Sequence, residues 1–109
     1  MKKIFLLIIS VFCFLTSHTQ ITVKHFNADW NKANTVTWLG KLTDCTAKYY
    51  DISKYPALQK KYRVVVVPTI IVFQDGEEIK RYQANIMMQV EAKREEIQEL
   101  IDESIMSGF

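Results

Sequence analysis

Tyr62-Arg63-Val64-Val65-Val66-Val67-Pro68-Thr69-Ile70-Ile71-Val72-Phe73-Gln74-Asp75-Gly76-Glu77 is the stretch on which the fold turns. It is an apolar run with one proline in it, closed by an Asp-Gly pair. Ile70–Phe73 has no polar residue to show water, and a continuous apolar run predicts a strand covered on both faces. Asp75-Gly76 supplies the two residues that a tight hairpin turn demands, so a strand must return antiparallel to the first. That strand is predicted over Glu78–Gln83, whose Glu78, Lys80 and Arg81 suit a place near a sheet edge.

Working outward, Ile21–Phe26 alternates Ile21, Val23 and His25 against Thr22, Lys24 and Phe26, the period of a strand. A polar turn follows at Asn27–Asn31, with Asp29, Asn31 or Asn34 as helix N-caps. A helix is predicted over Lys32–Leu42, putting Trp38, Leu39 and Leu42 on one face, although Thr35, Val36, Thr37 and Gly40 are poor helix formers. Cys45–Ile52 reads as the next strand, and Pro56 opens a short helix that aligns Leu58 with Tyr62. At the far end a long amphipathic helix is predicted from about Gln89 to Met106. Its apolar stripe is Val90, Ile97, Leu100, Ile101 and Ile105, and its acidic face is read as solvated surface. Met87 and Met88, at its start, are expected to fill core. The order β-α-β-α-β-β-α needs a right-handed parallel crossover first and an antiparallel pair later. A mixed four-stranded sheet with helices on both faces satisfies both.

The first residues stand apart. Lys2 and Lys3 precede the apolar run Ile4–Leu15, and Ser17-His18-Thr19-Gln20 turns the chain polar, the order of a secretory signal peptide. The run is shorter than the about 20 residues of a membrane span. We therefore expect a signal over 1–19 with cleavage before Gln20, a single domain over 20–109, and export to the periplasm, the cell envelope or the medium. Of fourteen basic residues, twelve remain without Lys2 and Lys3, against twelve acidic ones. The mature chain is formally neutral, so the basic balance of the full chain gives no reason to expect nucleic acid or an anionic membrane as partner, and neither is expected. Cys13 leaves with the signal, so only Cys45 remains and no internal disulfide can form even under oxidising conditions.

The order of elements and the Val67-Pro68-Thr69 stretch resemble the thioredoxin family in its short form. Ile70–Glu77 matches the family's strand and Gly turn, and Phe26-Asn27-Ala28-Asp29-Trp30 is similar to the Phe-x-Ala-x-Trp segment leading into its active site. The resemblance covers 21 to about 105 and implies a thioredoxin-like three-layer sandwich. It also implies a cis Val67–Pro68 bond facing the active-site loop, with adjacent backbone able to hold an extended peptide. Where the family carries Cys-x-x-Cys, this chain has Asn31-Lys32-Ala33-Asn34. An amide cannot ionise to a nucleophile, and disulfide exchange needs a thiolate. His25 falls where the family often keeps a buried acid, and the first helix is shorter by roughly two turns.

The residues thus point to a non-catalytic thioredoxin-like module that binds a protein or peptide, or serves as a chaperone-like accessory of the envelope. Its candidate surface is Trp30, Asn31, Asn34, Val67 and Pro68, by β-augmentation. The competing expectation is a degenerate thiol oxidoreductase or redox sensor acting through Cys45. Asp44 beside that thiol would raise its pKa, which favours a half-buried structural cysteine. With His25 the single mature histidine, no zinc site of familiar spacing exists. No phosphate loop, nucleophile elbow or carboxylate pair is present, so no cofactor is expected. His25 is expected to be packed, Trp38 to be core, and Trp30 to be partly exposed.

Overall fold

The computed structural model describes residues 19–107. The expected signal segment, with Cys13, lies outside them except for Thr19. Four strands, β1 (Ile21–Asn27), β2 (Thr46–Asp51), β3 (Thr69–Gln74) and β4 (Glu77–Gln83), form one sheet in the order β2-β1-β3-β4. β2 runs parallel to β1 with Thr22 opposite Thr46, while β3 is antiparallel to both β1 and β4. The mixed four-stranded sheet is therefore as expected. Asp75 (φ 50°) and Gly76 (φ 87°) make the β3–β4 hairpin with both central residues in the left-handed region, which is what Asp-Gly tolerates.

Alternation along β1 and β3 splits the core in two. Val23, Ile70 and Val72 face one side, where Ile97 and Ile101 of helix α2 (Arg94–Ser107) cover them together with Leu42. Phe26, Ile71 and Phe73 face the other, packed with Ile52, Val64 and Val67 and flanked by Leu58 and Tyr62 at helix α1 (Pro56–Lys61). Helices thus lie on both faces. Each such aliphatic or aromatic side chain gains about 1.5–3 kcal/mol by leaving water, the main source of cohesion in a domain without a disulfide. Lys24 sits on the α1 face without breaking it. Its ammonium donates to the Tyr62 hydroxyl at 2.7 Å and lies over the rings of Tyr62 and Phe73.

Two expectations need correction. The helix over Lys32–Leu42 does not form; two short 3₁₀ segments, Asp29–Asn34 and Leu39–Lys41, bridge β1 to β2 instead. The β-branched run Thr35-Val36-Thr37 and Gly40 leave too little helix propensity for an α-helical crossover. Val36, Trp38 and Leu39 still pack on the core, and none of Asp29, Asn31 or Asn34 serves as an N-cap. α2 begins at Arg94, not near Gln89, because Met88 has φ 59° and the chain from Asn85 to Gln89 is closed on itself. Asn85 Oδ1 accepts from the amides of Met87 and Gln89, which holds 85–89 in a turn ahead of the helix. Val65 and Val66 precede the strand, as the placing of the apolar run at Ile70–Phe73 implies. They lie exposed in the loop between α1 and β3.

Candidate functional site: an apolar groove beside Pro68

Three loops meet at the end of the sheet where β1 finishes and β3 starts. The first is the 3₁₀ turn after β1, carrying Trp30 and Asn31. The second is Val64–Pro68, which enters β3 through a cis Val67–Pro68 bond. The third is Ala84–Gln89, between β4 and α2. Together they enclose a groove of about 280 Å³ lined by Trp30, Val64–Val67, Ile86 and Met88, with Gln59 and Asn85 as its polar members and Ile52 at its base. No charged side chain lines it.

Its rim is unusually apolar for a surface. Trp30 is 66% exposed, Val65 78%, Ile86 98% and Met88 44%, with Met87 and Val66 also open to solvent. Met87 and Met88 therefore do not fill core as expected; they belong to the exposed rim. Exposed side chains of this size, contiguous around one groove, mark an interaction site more often than an ordinary surface.

The backbone of the groove is held in place from outside. The Arg81 guanidinium, paired with Glu78 at 2.8 Å, donates to the carbonyls of Tyr62 and Arg63 where the loop leaves α1. The Thr69 hydroxyl donates to the Val66 carbonyl at 2.6 Å, and the Ala84 amide to the Pro68 carbonyl at 3.1 Å. The amides of Val65, Val66 and Val67 donate to no described residue. Successive amides along extended backbone point to opposite sides, so an extended segment laid beside the exposed Val65 and Val66 could take up one of their amides by strand-like pairing.

The predicted site residues divide. Trp30 is on the rim and Val67 lines the wall, but Val67, Pro68 and Asn31 are themselves buried, and Asn34 is half-buried. Asn31 is turned inward. Its side-chain nitrogen faces Asn27 Oδ1 at 3.2 Å, the Val67 carbonyl at 3.3 Å and the Met88 carbonyl at 3.4 Å. Asn34 donates to Asn31 Oδ1 at 2.9 Å and accepts from Gln89 at 3.4 Å. Asn27 returns two bonds, to the Asn31 carbonyl and to Thr35 Oγ1. The residues that sequence reasoning missed are Val65, Ile86 and Met88. The one local sign of their exposure is Asn85, whose side chain can bond its own following backbone and turn the chain.

Cys45 is elsewhere. It precedes β2 at the end of the sheet where β1 starts, so the length of β1, about 20 Å, separates it from Pro68. It is half-buried against the α2-side core. Burial first, and Asp44 second, push its thiol pKa up. A raised pKa lowers the thiolate fraction on which exchange depends, so nothing at Cys45 favours the thiol reading. His25 is packed as expected, edge-on to Tyr49 at 5.1 Å. Burial brings its pKa down to about 4, so it is neutral at pH 7 and cannot stand in for a proton-transferring acid.

No family model matches the chain, and no curated protein does. Among solved structures it is similar to a thioredoxin of Halobacterium salinarum, at 24% identity and a TM-score of 0.61, over 79% of this chain and 75% of that one. A thioredoxin-2 described as a component of the malaria parasite's protein secretion machinery is 20% identical with a TM-score of 0.58, over 81% and 86%. Thioredoxin O2 of Arabidopsis thaliana is 18% identical with a TM-score of 0.53, over 79% and 76%. The chain has the thioredoxin-like fold, without the Cys-x-x-Cys pair.

Proposed function

We propose that this protein is an exported, redox-inactive thioredoxin-like module of the cell envelope that holds an extended segment of a partner protein in the groove beside Pro68. The observation that carries the reading is the groove itself. Its walls are apolar and uncharged, its rim leaves Trp30 and Ile86 open, and the amides of the exposed Val65 and Val66 donate to no described residue. Such a site recognises main chain by hydrogen bonds and side chains by burial, and neither needs a thiol. Asparagine at both positions of the family's cysteines removes attack and resolution together.

Trp30 provides the test, since its indole stands at the rim. The mature protein is titrated with short uncharged peptides rich in leucine and valine, followed by tryptophan fluorescence. Saturable binding is expected, weakened by Ile86→Glu, which places a carboxylate where a partner's apolar side chain would sit. Binding that Ile86→Glu leaves unchanged, or no binding by any such peptide, would overturn the reading.

A further inference from the structure

We infer that Asn31 is a positioning residue: its side-chain amide clamps the three walls of the groove together, so asparagine here is a working replacement for cysteine and not a relic of its loss. The inference rests on the docking reading for its purpose but on geometry for its substance.

The three loops that enclose the groove carry no disulfide among the described residues, and the first of them is not reached by the Ala84–Pro68 hydrogen bond that ties the second to the third. Asn31 sits under all of them. It belongs to the turn that carries Trp30, and its amide nitrogen faces the carbonyl of Val67 in the second wall and that of Met88 in the third. Two N–H groups thus serve three acceptors, Asn27 Oδ1 included, at 3.2–3.4 Å. Each bond is long and shared, yet the donors and acceptors are all buried or partly so, and leaving such carbonyls without a donor is costly. Asn34 fixes the orientation of the amide by donating to Asn31 Oδ1, and Gln89 extends the chain of bonds to the far side of the third loop.

The chemistry specifies asparagine. A cysteine thiol has one weak donor and cannot reach two walls at once. An aspartate has the right shape but only acceptors, and would set a carboxylate against three oxygens. An amide does not change with redox potential or with pH across the physiological range. The groove therefore keeps one width whether its surroundings are oxidising or reducing.

The test compares the mature protein with Asn31→Asp, and with Lys32→Ala as an exposed neighbour control. Amide hydrogen exchange is read at Ala84, Met88 and Gln89, whose amides bond within the third loop or across to Pro68, and at Val23 and Ile71 in the central strands. Asn31→Asp is expected to speed exchange at the loop amides by about tenfold, leaving the strands unchanged, because opening is local. The fluorescence-monitored peptide affinity should fall by a similar factor. Unchanged loop exchange, or equal acceleration in the strands, overturns the clamp, since the latter describes a merely structural residue. Loop exchange that accelerates in a protein whose unsubstituted form binds no peptide upholds the clamp and overturns the docking reading. Should Asn31→Asp fail to fold, Asn31→Ala is read in the same way. In the unsubstituted protein, contacts from the Asn31 amide protons to residues 67 and 88 by NMR are expected, and their absence counts against the clamp.

Discussion

Replacing His25 by leucine should remove most of this protein's sensitivity to mild acid. His25 is 1% exposed, and neither ring nitrogen has a hydrogen-bond partner among the described residues. Its pKa falls from 6.5 to about 4 because burial penalises the charged ring. A base whose folded-state pKa is depressed binds its proton more readily when unfolded. Its contribution is therefore intact above pH 6.5 and is lost as the pH falls toward 4. Linkage puts the loss at about 2 kcal/mol by pH 5 and about 3 kcal/mol in full. Urea unfolding of the mature protein and of His25→Leu, each at about pH 7.5 and about pH 5, reads the difference. Near neutrality the variant should be as stable as the original or more so, since leucine of similar volume removes an unsatisfied polar ring from an apolar site. Exposed carboxylates such as Glu78 titrate alike in both proteins and cancel. If both proteins lose the same stability on acidification, His25 is not the buried, uncharged group described.

Three further outcomes are expected. Cys45 should react with a disulfide reagent near pH 8 more slowly than a free thiol, and Asp44→Asn should speed it by relieving one of the two causes of its raised pKa; a fast, low-pKa Cys45 would revive the thiol reading. Insulin reduction by the mature protein should stay at background between about pH 6 and 9, the range in which protein thiolates form. Intact mass of material recovered from the cell envelope should place the first residue near Gln20, and full-length chain retained in the cytoplasm would refute export.

The hairpin and the central strands were legible because their signals are local. Asp75-Gly76 forces a turn by its own backbone preferences, and Ile70–Phe73 can be nothing but buried. Val67-Pro68-Thr69 pointed, through family likeness, to the end of the sheet where the proposed groove lies, and Trp30 is exposed as that likeness implies. The crossover after Asn34 was misread because a helix-like spacing of Trp38, Leu39 and Leu42 is also met by a compact non-helical loop that buries Leu42 and packs the other two against the same core. Met87 and Met88 were assigned to core by hydrophobicity alone, whereas Asn85 had already turned the chain outward. The role of Asn31 was beyond local reading. Its acceptors at Val67 and Met88 lie 36 and 57 residues away, and only the tertiary fold brings them to one amide.

The central claim is that a partner segment lies along Val65–Val67 between Trp30 and Met88. Amide chemical-shift mapping of the mature protein, titrated with an uncharged peptide rich in leucine and valine, tests it most directly. The account predicts saturating shifts at the exposed Val65 and Val66 as the amide facing the segment gains an acceptor, accompanied by Trp30, Ile86 and Met88, with Cys45 and β2 unmoved. Shifts confined to the Cys45 end of the sheet, or scattered without saturation, would contradict it.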